Sequence, residues 1–183
     1  MIEAGRFVIA GDWDATPTPE GKLRIVMPPI GKVCGCGWEP YTQAALLALP
    51  DFITPGCSFA DIGAGSGILC IAAKLLGAGK CYALEISPDA LAAARNVFVA
   101  NAVDVTLIDG THGDWRGDKE KQAKDWLGYR PSKQQKDRFE KWWADGHAHV
   151  KRHNAAVAHV PHVDVAMGSA GEEFAQRCRD EIK

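Results

Sequence analysis

The chain has 183 residues, 46% of them hydrophobic, and a formal net charge of −2. This length predicts one domain with at most a small appendage, and this composition is sufficient for a sizeable core. The charge argues against a generally basic nucleic-acid binder, and no apolar run is long enough to span a bilayer. No signal-peptide pattern begins the chain. The six cysteines include no C-x-x-C pair, so we expect a reduced, cytoplasmic protein without a metal site.

The amino-terminal region predicts two strands, at residues 6–10 and 23–27, joined by a turn-rich linker and interpreted as a β-hairpin. A glycine-rich loop with two aromatic residues follows. It leads into an amphipathic helix over Tyr41–Leu49, with Thr42 as its candidate cap. Cys34 and Cys36 lie in this loop and are interpreted as plain thiols.

The sequence Ser58–Gly67, S-F-A-D-I-G-A-G-S-G, organises the rest of the chain. An apolar run reaches an acid, Asp61, and glycines follow at every second position (Gly63, Gly65 and Gly67). A helix-forming run comes next, so the pattern predicts a strand, a tight turn and a helix. Glycine lets the backbone approach a ligand closely, and the new helix directs free N–H groups toward it.

Helices and strands then alternate with short links. The predicted elements are a strand at Ser58–Ile62, a helix at Ser66–Leu76, a strand at Lys80–Ile86, a helix capped by Ser87 with Pro88 in its first turn, and a strand at Val103–Ile108. This β-α-β-α-β order predicts a parallel sheet with right-handed crossovers.

The character changes after residue 110. The segment Gly113–Ala158 is polar and aromatic, and its eleven Lys and Arg against seven Asp and Glu make it modestly basic. Ser132 is a candidate cap for a helix in which Phe139, Trp142 and Trp143 share helical spacing. A fourth core strand is expected at Val163–Met167 and a final helix at Glu172–Ile182. Within one domain, the predicted units are therefore 1–57 (hairpin, loop and helix), 58–110 (core), 111–159 (helical insertion) and 160–183 (last strand and helix).

Two further acids follow the second and third core strands. Glu85 lies 24 residues after Asp61, near the offset of about 20 residues at which an acid holds a ribose diol. A carboxylate suits this role because it accepts hydrogen bonds from both hydroxyls. Asp109 follows the third strand, where it could accept from the exocyclic amine of a base. In such sheets the ligand binds at the carboxyl ends of the strands.

The run A-D-I-G-A-G-S-G-I-L-C-I-A-A-K-L-L-G-A-G-K-C-Y-A-L-E-I-S-P-D-A-L-A-A-A-R-N resembles motif I of Rossmann-like methyltransferases that use S-adenosylmethionine. It is most similar to the PrmA-type ribosomal-protein methyltransferases, which share D-x-G-x-G-S-G-I-L-x-I-A-A and a following strand that ends in an acid. The upstream P-P-I-G-K-V-C-G-C-G-W-E-P-Y-T is similar to that family's P-G-x-A-F-G-T-G-x-H-P-T-T. The resemblance covers about Phe7 to Asp109.

The resemblance implies an α/β fold, a Rossmann-like doubly wound sheet of the class I methyltransferase type, with S-adenosyl-L-methionine as cofactor. It implies that one set of residues lines the methionine and ribose end of the cofactor: Asp61, Gly63, Gly65 and Gly67. Glu85 would hold the ribose hydroxyls, Ile86 would pack on the adenine and Asp109 would lie near its amine. Thr42 and the Gly35–Gly37 turn would close over the cofactor.

The chain also departs from the family pattern. Glu39 stands where the family has His, and D-V-A-M-G-S-A places Gly168 and Ser169 where an Asn-containing motif positions the substrate nitrogen. The family's last strands and its substrate-recognition domain are expected to be missing, so the fold is expected to be truncated. Glu39 and Asp164 are the candidate proton acceptors for catalysis.

These features predict a methyltransferase that acts on a protein or another amine. The alternative is a SAM-binding module or partner subunit without catalysis, favoured by the glycine in place of Asn. A third hypothesis is nucleic-acid methylation through the basic, Trp-bearing insertion. An open sheet edge after the fourth strand would pair with another chain, so a homodimer is also expected.

Overall fold

The computed structural model describes residues 1–110, 123, 131–141, 143–144 and 163–168. These residues form a three-stranded sheet and a four-stranded sheet with helices packed between and around them. The elements are β1 (Ile2–Ala4), β2 (Phe7–Gly11), β3 (Leu23–Met27), α1 (Pro40–Ala48), a 3₁₀ turn (Leu49–Asp51), β4 (Phe59–Ile62), α2 (Ile68–Leu75), β5 (Cys81–Glu85), α3 (Pro88–Ala100), β6 (Thr106–Asp109) and β7 (Val165–Gly168).

The amino-terminal sheet corrects one prediction. Both predicted strands exist, as β2 and β3, but they pair in parallel, with Phe7 opposite Leu23 and Gly11 opposite Met27. The hairpin is formed instead by β1 and β2, which pair antiparallel across a turn at Gly5. The long β2–β3 linker returns the chain to the start of β2, which parallel pairing requires. The Arg24 guanidinium holds this linker by donating to two of its carbonyl oxygens.

The four-stranded sheet confirms the predicted parallel core. Its order is β6-β5-β4-β7, and every neighbouring pair is parallel. The central strand β4 is buried along its whole length, and α2 buries six of its eight residues. The third core strand begins at Thr106 rather than Val103. The Val103 N–H instead donates to the Phe98 carbonyl and closes the end of α3.

The helix starts follow the predicted capping chemistry in one case and not in another. Ser87 caps α3, since its hydroxyl oxygen accepts from the Ala90 N–H at 3.4 Å. Thr42 does not cap α1. The helix begins at Pro40 after Glu39, which makes no side-chain capping bond, and Thr42 is buried in the first turn. Pro40 explains the shift because its fixed φ and missing N–H suit the first helical position.

Asn101 joins the two sheets at the end of α3. Its Oδ1 accepts from the Val26 N–H at 2.8 Å, and its Nδ2 donates to the Val26 carbonyl at 2.7 Å and the Val97 carbonyl at 2.8 Å. The side-chain amide therefore pairs with β3 as a neighbouring strand would. This contact fixes the amino-terminal sheet against α3, which packs on the four-stranded sheet at β6.

The carboxyl-terminal region is described in part. Residues 133–141 are helical, as predicted, and Ser132 and Gln135 exchange two capping bonds, of 2.8 and 3.2 Å. Phe139 is buried and stacks on Trp143, with the ring centroids 6.1 Å apart. Trp142, Ser169, Glu172–Ile182 and most of Gly113–Ala158 lie outside the described residues. Over the described part of the chain, none of the helices has the length and apolarity needed to cross a bilayer.

Candidate functional site

The turn between β4 and α2 is built from glycines in the left-handed region. Gly63, Gly65 and Gly67 have φ of +76°, +56° and +77°, values that L side chains rarely adopt. A Cβ at Gly65 would lie 2.6 Å from the Cys34 carbonyl oxygen, and one at Gly67 would lie 2.4 Å from the Phe98 ring. The N–H group of Gly63 also donates to the Leu84 carbonyl at 2.9 Å, so the turn lies over the end of β5. We call residues 63–67 the glycine turn.

A second loop lies directly on the glycine turn. We call residues 31–39, between β3 and α1, the cap loop. The Ser66 N–H donates to the Cys34 carbonyl at 2.9 Å, and the Ser66 hydroxyl donates to the Gly35 carbonyl at 2.6 Å. Ser66 is fully buried, and it was not among the residues predicted for the site. The sequence offered one indication of its role, because Ser66 is a polar residue between Gly65 and Gly67 of the predicted turn.

Glu39 holds the cap loop in shape. One carboxylate oxygen accepts from the backbone N–H of Gly35 at 2.9 Å and of Cys36 at 3.4 Å, and from the Cys36 thiol at 3.3 Å. The other accepts from the Gly37 N–H at 3.1 Å. Burial favours the neutral acid, but hydrogen bonds from its own backbone N–H, from Gly35 and from Cys36 outweigh burial and hold the pKa of Glu39 below its usual value. The carboxylate predicted as a proton acceptor is therefore an ionised anchor of the cap loop.

Glu85 connects the glycine turn to the junction of β5 and α3. One carboxylate oxygen accepts from the Gly65 N–H at 2.9 Å, and the other accepts from Ile86 at 2.7 Å and Ser87 at 2.9 Å. It lies opposite Asp109 in the β5–β6 register, so both acids stand at the same edge. The oxygen bonded to Gly65 retains lone-pair capacity for a further donor.

Asp61 is the least satisfied group of the site. Asp61 is 1% exposed, and neither carboxylate oxygen has a hydrogen-bond partner among the residues that the structure describes. Burial, and after it the negative charge of Glu85, raises the pKa of Asp61 to about 7. A buried acid without partners is costly. A cationic or donor-bearing group at this edge would offset that cost, so the residues fit a ligand with these properties.

The structure brings most of the predicted residues to one edge. The carboxyl ends of β4, β5 and β6 place Asp61, the glycine turn, Glu85, Ile86 and Asp109 there, since the strands are parallel. Thr42 follows the cap loop, in the first turn of α1.

Asp164 is not brought to this edge. It precedes β7 and lies at the amino end of the sheet, where its carboxylate accepts from the Ser58 N–H and the Ser58 hydroxyl, both at 2.7 Å.

A cavity of about 260 Å³ lies on the other side of the cap loop. Its walls include Ile9 of β2 and the exposed rings of Trp13 and Trp38, and Cys36 also lines it. The cap loop packs against this wall closely, since a Cβ at Gly37 would lie 3.1 Å from the Ile9 side chain. The loop is therefore held between the glycine turn on one side and β2 on the other.

Comparisons with known proteins agree with this geometry. The family model described as ribosomal protein L11 methyltransferase (PrmA) matches residues 2–124. A ribosomal protein L11 methyltransferase from Carboxydothermus hydrogenoformans is 38% identical over 110 residues, which are 59% of this chain and 36% of that protein. One from Methylobacillus flagellatus is 43% identical over 101 residues, 54% of this chain and 33% of that protein.

A solved structure shows the same similarity. The ribosomal protein L11 methylase from Lactobacillus delbrueckii subsp. bulgaricus has a TM-score of 0.51 at 31% identity, over 57% of this chain and 53% of that one. The chain spans about a third of the length of the curated relatives it matches. The resemblance predicted from the glycine motif is confirmed, and the family model covers well over half of the chain: the chain belongs to the ribosomal protein L11 methyltransferase (PrmA) family.

Proposed function

We propose that the carboxyl edge of the four-stranded sheet binds S-adenosyl-L-methionine, and that the chain forms the cofactor-binding part of a protein methyltransferase. The observation that supports this most directly is Asp61, a buried acid beside the glycine turn that has no hydrogen-bond partner in the described part of the chain. S-adenosyl-L-methionine has two cationic groups, an ammonium and a sulfonium, and a ribose with two donor hydroxyls. These groups match an edge that presents three acids, Asp61, Glu85 and Asp109.

Each residue has a separate part in this proposal. Glu85 accepts from the ribose hydroxyls, Ile86 packs on the adenine and Asp109 accepts from its amine. Asp61 and the glycine turn hold the methionine end, and Thr42 with Gly35–Gly37 closes over the cofactor. The bound cofactor would supply an activated methyl group. The chain's own contribution is to orient the cofactor and to exclude water, which are the main demands of group transfer to a positioned nucleophile.

The acceptor is proposed to be a protein, because the relatives are named for methylation of ribosomal protein L11. The aromatic cavity beside the cap loop is the place we propose for an acceptor side chain. The expected homodimer and the cytoplasmic location stay predictions.

Calorimetric titration with S-adenosyl-L-methionine tests the proposal. Glu85→Ala is expected to weaken binding about tenfold or more, because charge-assisted hydrogen bonds to the ribose are lost. Glu20→Ala is the matched control, since Glu20 is an exposed acid in the linker between β2 and β3. Equal affinity of wild type and Glu85→Ala, or no binding by wild type, would contradict the proposed site.

A second candidate function is cofactor binding without catalysis. The positions of the two candidate proton acceptors favour it, because neither is placed to take a proton at the carboxyl edge. Glu39 is bonded into the cap loop, and Asp164 lies at the opposite edge. Transfer of a labelled methyl group to purified bacterial ribosomal protein L11 distinguishes the two. Cofactor binding with no transfer above a protein-free blank supports the binding module, and transfer lost in Glu85→Ala supports the enzyme.

A further inference from the structure

Two cysteines of the cap loop stand in a cluster that the proposed cofactor contacts do not use. Cys34 is exposed, and its thiol lies beside the Tyr41 hydroxyl. Cys36 is half-buried, and its thiol donates to a Glu39 carboxylate oxygen at 3.3 Å. Burial first, and then the neighbouring Cys34 and Glu39, raises the pKa of Tyr41 to about 12. The two thiols therefore lie in one cluster with an acid and a phenol.

The same segment of backbone holds the glycine turn. The Cys34 carbonyl accepts from the Ser66 N–H at 2.9 Å, and the Gly35 carbonyl accepts from the Ser66 hydroxyl at 2.6 Å. Both carbonyls stand between the two sulfur-bearing side chains in sequence. A change in the backbone conformation of Cys34–Cys36 must therefore disturb the two bonds that fix Ser66.

The spacing of the two cysteines permits a disulfide. Residues separated by one position have Cα atoms at most about 7 Å apart, and a disulfide needs about 4.4–6.8 Å. Gly35 between them has φ of +91°, which bends the chain and shortens this separation. The backbone must still adjust, because the thiols now point to different partners, Tyr41 and Glu39.

We propose that Cys34 and Cys36 are a site of oxidation by peroxide, and that the disulfide they form releases the cap loop from the glycine turn and weakens cofactor binding. The effect on the cofactor rests on the proposed function, but the oxidation and the release of the loop do not. Formation and reduction of this disulfide would then control the affinity of the site for its cofactor.

The chemistry is balanced with hydrogen peroxide as the oxidant. The exposed Cys34 thiol releases its proton to solvent, its sulfur attacks a peroxide oxygen, and the O–O bond breaks. Cys34 becomes a sulfenic acid, and the leaving hydroxide takes up the released proton as water. The Cys36 sulfur then attacks the Cys34 sulfur, and the Cys36 thiol gives up the proton that it shares with Glu39. The S–S bond forms, the S–O bond breaks, and the leaving hydroxide takes the proton. Two thiols and one peroxide give one disulfide and two waters.

The disulfide removes the hydrogen that Cys36 donates to Glu39. Glu39 then keeps three backbone N–H bonds that hold the old loop shape, while the new covalent ring pulls Cys34 and Cys36 together. The covalent constraint prevails because each hydrogen bond contributes only about 1 kcal/mol. The two bonds that Ser66 donates to the Cys34 and Gly35 carbonyls are the ones lost.

The test treats the full chain with hydrogen peroxide and then with dithiothreitol. Peptide mass analysis is expected to show the Cys34–Cys36 peptide lighter by two hydrogen atoms. Amide hydrogen exchange at Ser66 should become faster, and S-adenosyl-L-methionine should bind about tenfold more weakly by calorimetry, since two hydrogen bonds are lost. Dithiothreitol should reverse all three changes.

Two variants separate the possible causes. Cys36→Ser retains a hydroxyl donor to Glu39 but forms no disulfide, so its Ser66 exchange and its affinity should not respond to peroxide. Cys57→Ser is the control for other thiols, because Cys57 is buried away from the cap loop, and it should respond as wild type does.

Two results would overturn the inference: no disulfide between Cys34 and Cys36, or a disulfide that leaves Ser66 exchange unchanged. If the disulfide and the faster exchange occur but neither form binds the cofactor, the proposed function fails while the oxidation site stands.

Discussion

The aspartates at the two ends of the strands in the four-stranded sheet differ in their hydrogen bonding. We call the end formed by the amino ends of the strands the amino edge, and the opposite end the carboxyl edge. At the amino edge, Asp164 accepts two bonds from Ser58, and its own N–H donates to the Ser58 hydroxyl at 2.9 Å. At the carboxyl edge, Asp61 is buried, and none of the described residues gives its side chain a hydrogen bond. The pKa of Asp164 is held below its usual value by the Ser58 bonds, whereas burial and the charge of Glu85 raise the pKa of Asp61 to about 7.

We propose that this difference separates a structural acid, Asp164, from a ligand-binding acid, Asp61. An acid that ties β4 to β7 uses one of its carboxylate oxygens for bonds within the fold. An acid buried at a ligand edge keeps its capacity and destabilises the empty fold, a cost that a binding partner can offset.

The largest expected effect comes from filling the glycine turn. Gly65→Ala places a methyl group 2.6 Å from the Cys34 carbonyl oxygen at φ of +56°. We expect a loss of about 3–5 kcal/mol in unfolding free energy, from the clash and the left-handed backbone, and no detectable cofactor binding. Urea unfolding and calorimetry measure the two effects.

Gly56→Ala is the matched control for that variant. Its φ is +83°, but nothing lies within 4 Å of the added Cβ. It should lose only the backbone part, about 1–2 kcal/mol, and should bind the cofactor as wild type does. Equal losses of unfolding free energy in Gly65→Ala and Gly56→Ala would mean that the clash with the cap loop contributes nothing to the destabilisation.

The second prediction concerns pH and Asp61. Its folded pKa of about 7 exceeds the unfolded value, so between these values only the folded chain holds the proton, and stability falls as pH rises. Relative to Asp61→Asn, wild type should lose about 3 kcal/mol of unfolding free energy between pH 4.5 and pH 8. Urea unfolding of wild type and Asp61→Asn across this pH range measures the difference. The contributions of the other titrating groups are common to both proteins and cancel.

Glu85→Gln sharpens this test. The negative charge of Glu85 is the second cause of the raised Asp61 pKa, so its removal should move the pH-dependent loss to lower pH. A difference between wild type and Asp61→Asn that stays constant with pH would show that Asp61 is not a buried, unpaired acid.

The smallest effect is expected at the amino edge. Asp164→Asn weakens the two bonds from Ser58, so the urea midpoint should fall slightly, with no change in cofactor affinity. The depressed pKa of Asp164 means that its contribution is present above the unfolded pKa and is lost as pH falls through the folded pKa. Ser58→Ala should reproduce the change, and a fall in cofactor affinity with either variant would contradict the separation of the edges.

Features that depend on residues close together in sequence were predicted, whereas several features that depend on residues far apart in sequence were not. The strand–turn–helix at Ser58–Gly67, the Ser87 cap and the parallel sheet follow from local patterns, and all were predicted. The parallel pairing of β2 with β3 was not, because the strand pattern does not state which neighbour a strand takes. The roles of Ser66 and Asn101 were also missed. Their partners, Gly35 and Val26, are 31 and 75 residues away in sequence.

The sequence by itself determined the family, the nucleotide-type core and the set of acids and glycines, because these depend on residue types at short, fixed spacings. Tertiary structure decided which of those acids are available. Asp61 lies in β4, and Asp164 immediately precedes the neighbouring strand β7. Over the residues described here, Asp61 is buried without a donor, whereas Asp164 accepts bonds from Ser58. Glu39 was likewise fixed as an anchor by the fold of the cap loop. Burial and hydrogen-bond partners set the charge and reach of a carboxylate, and both depend on residues distant in sequence.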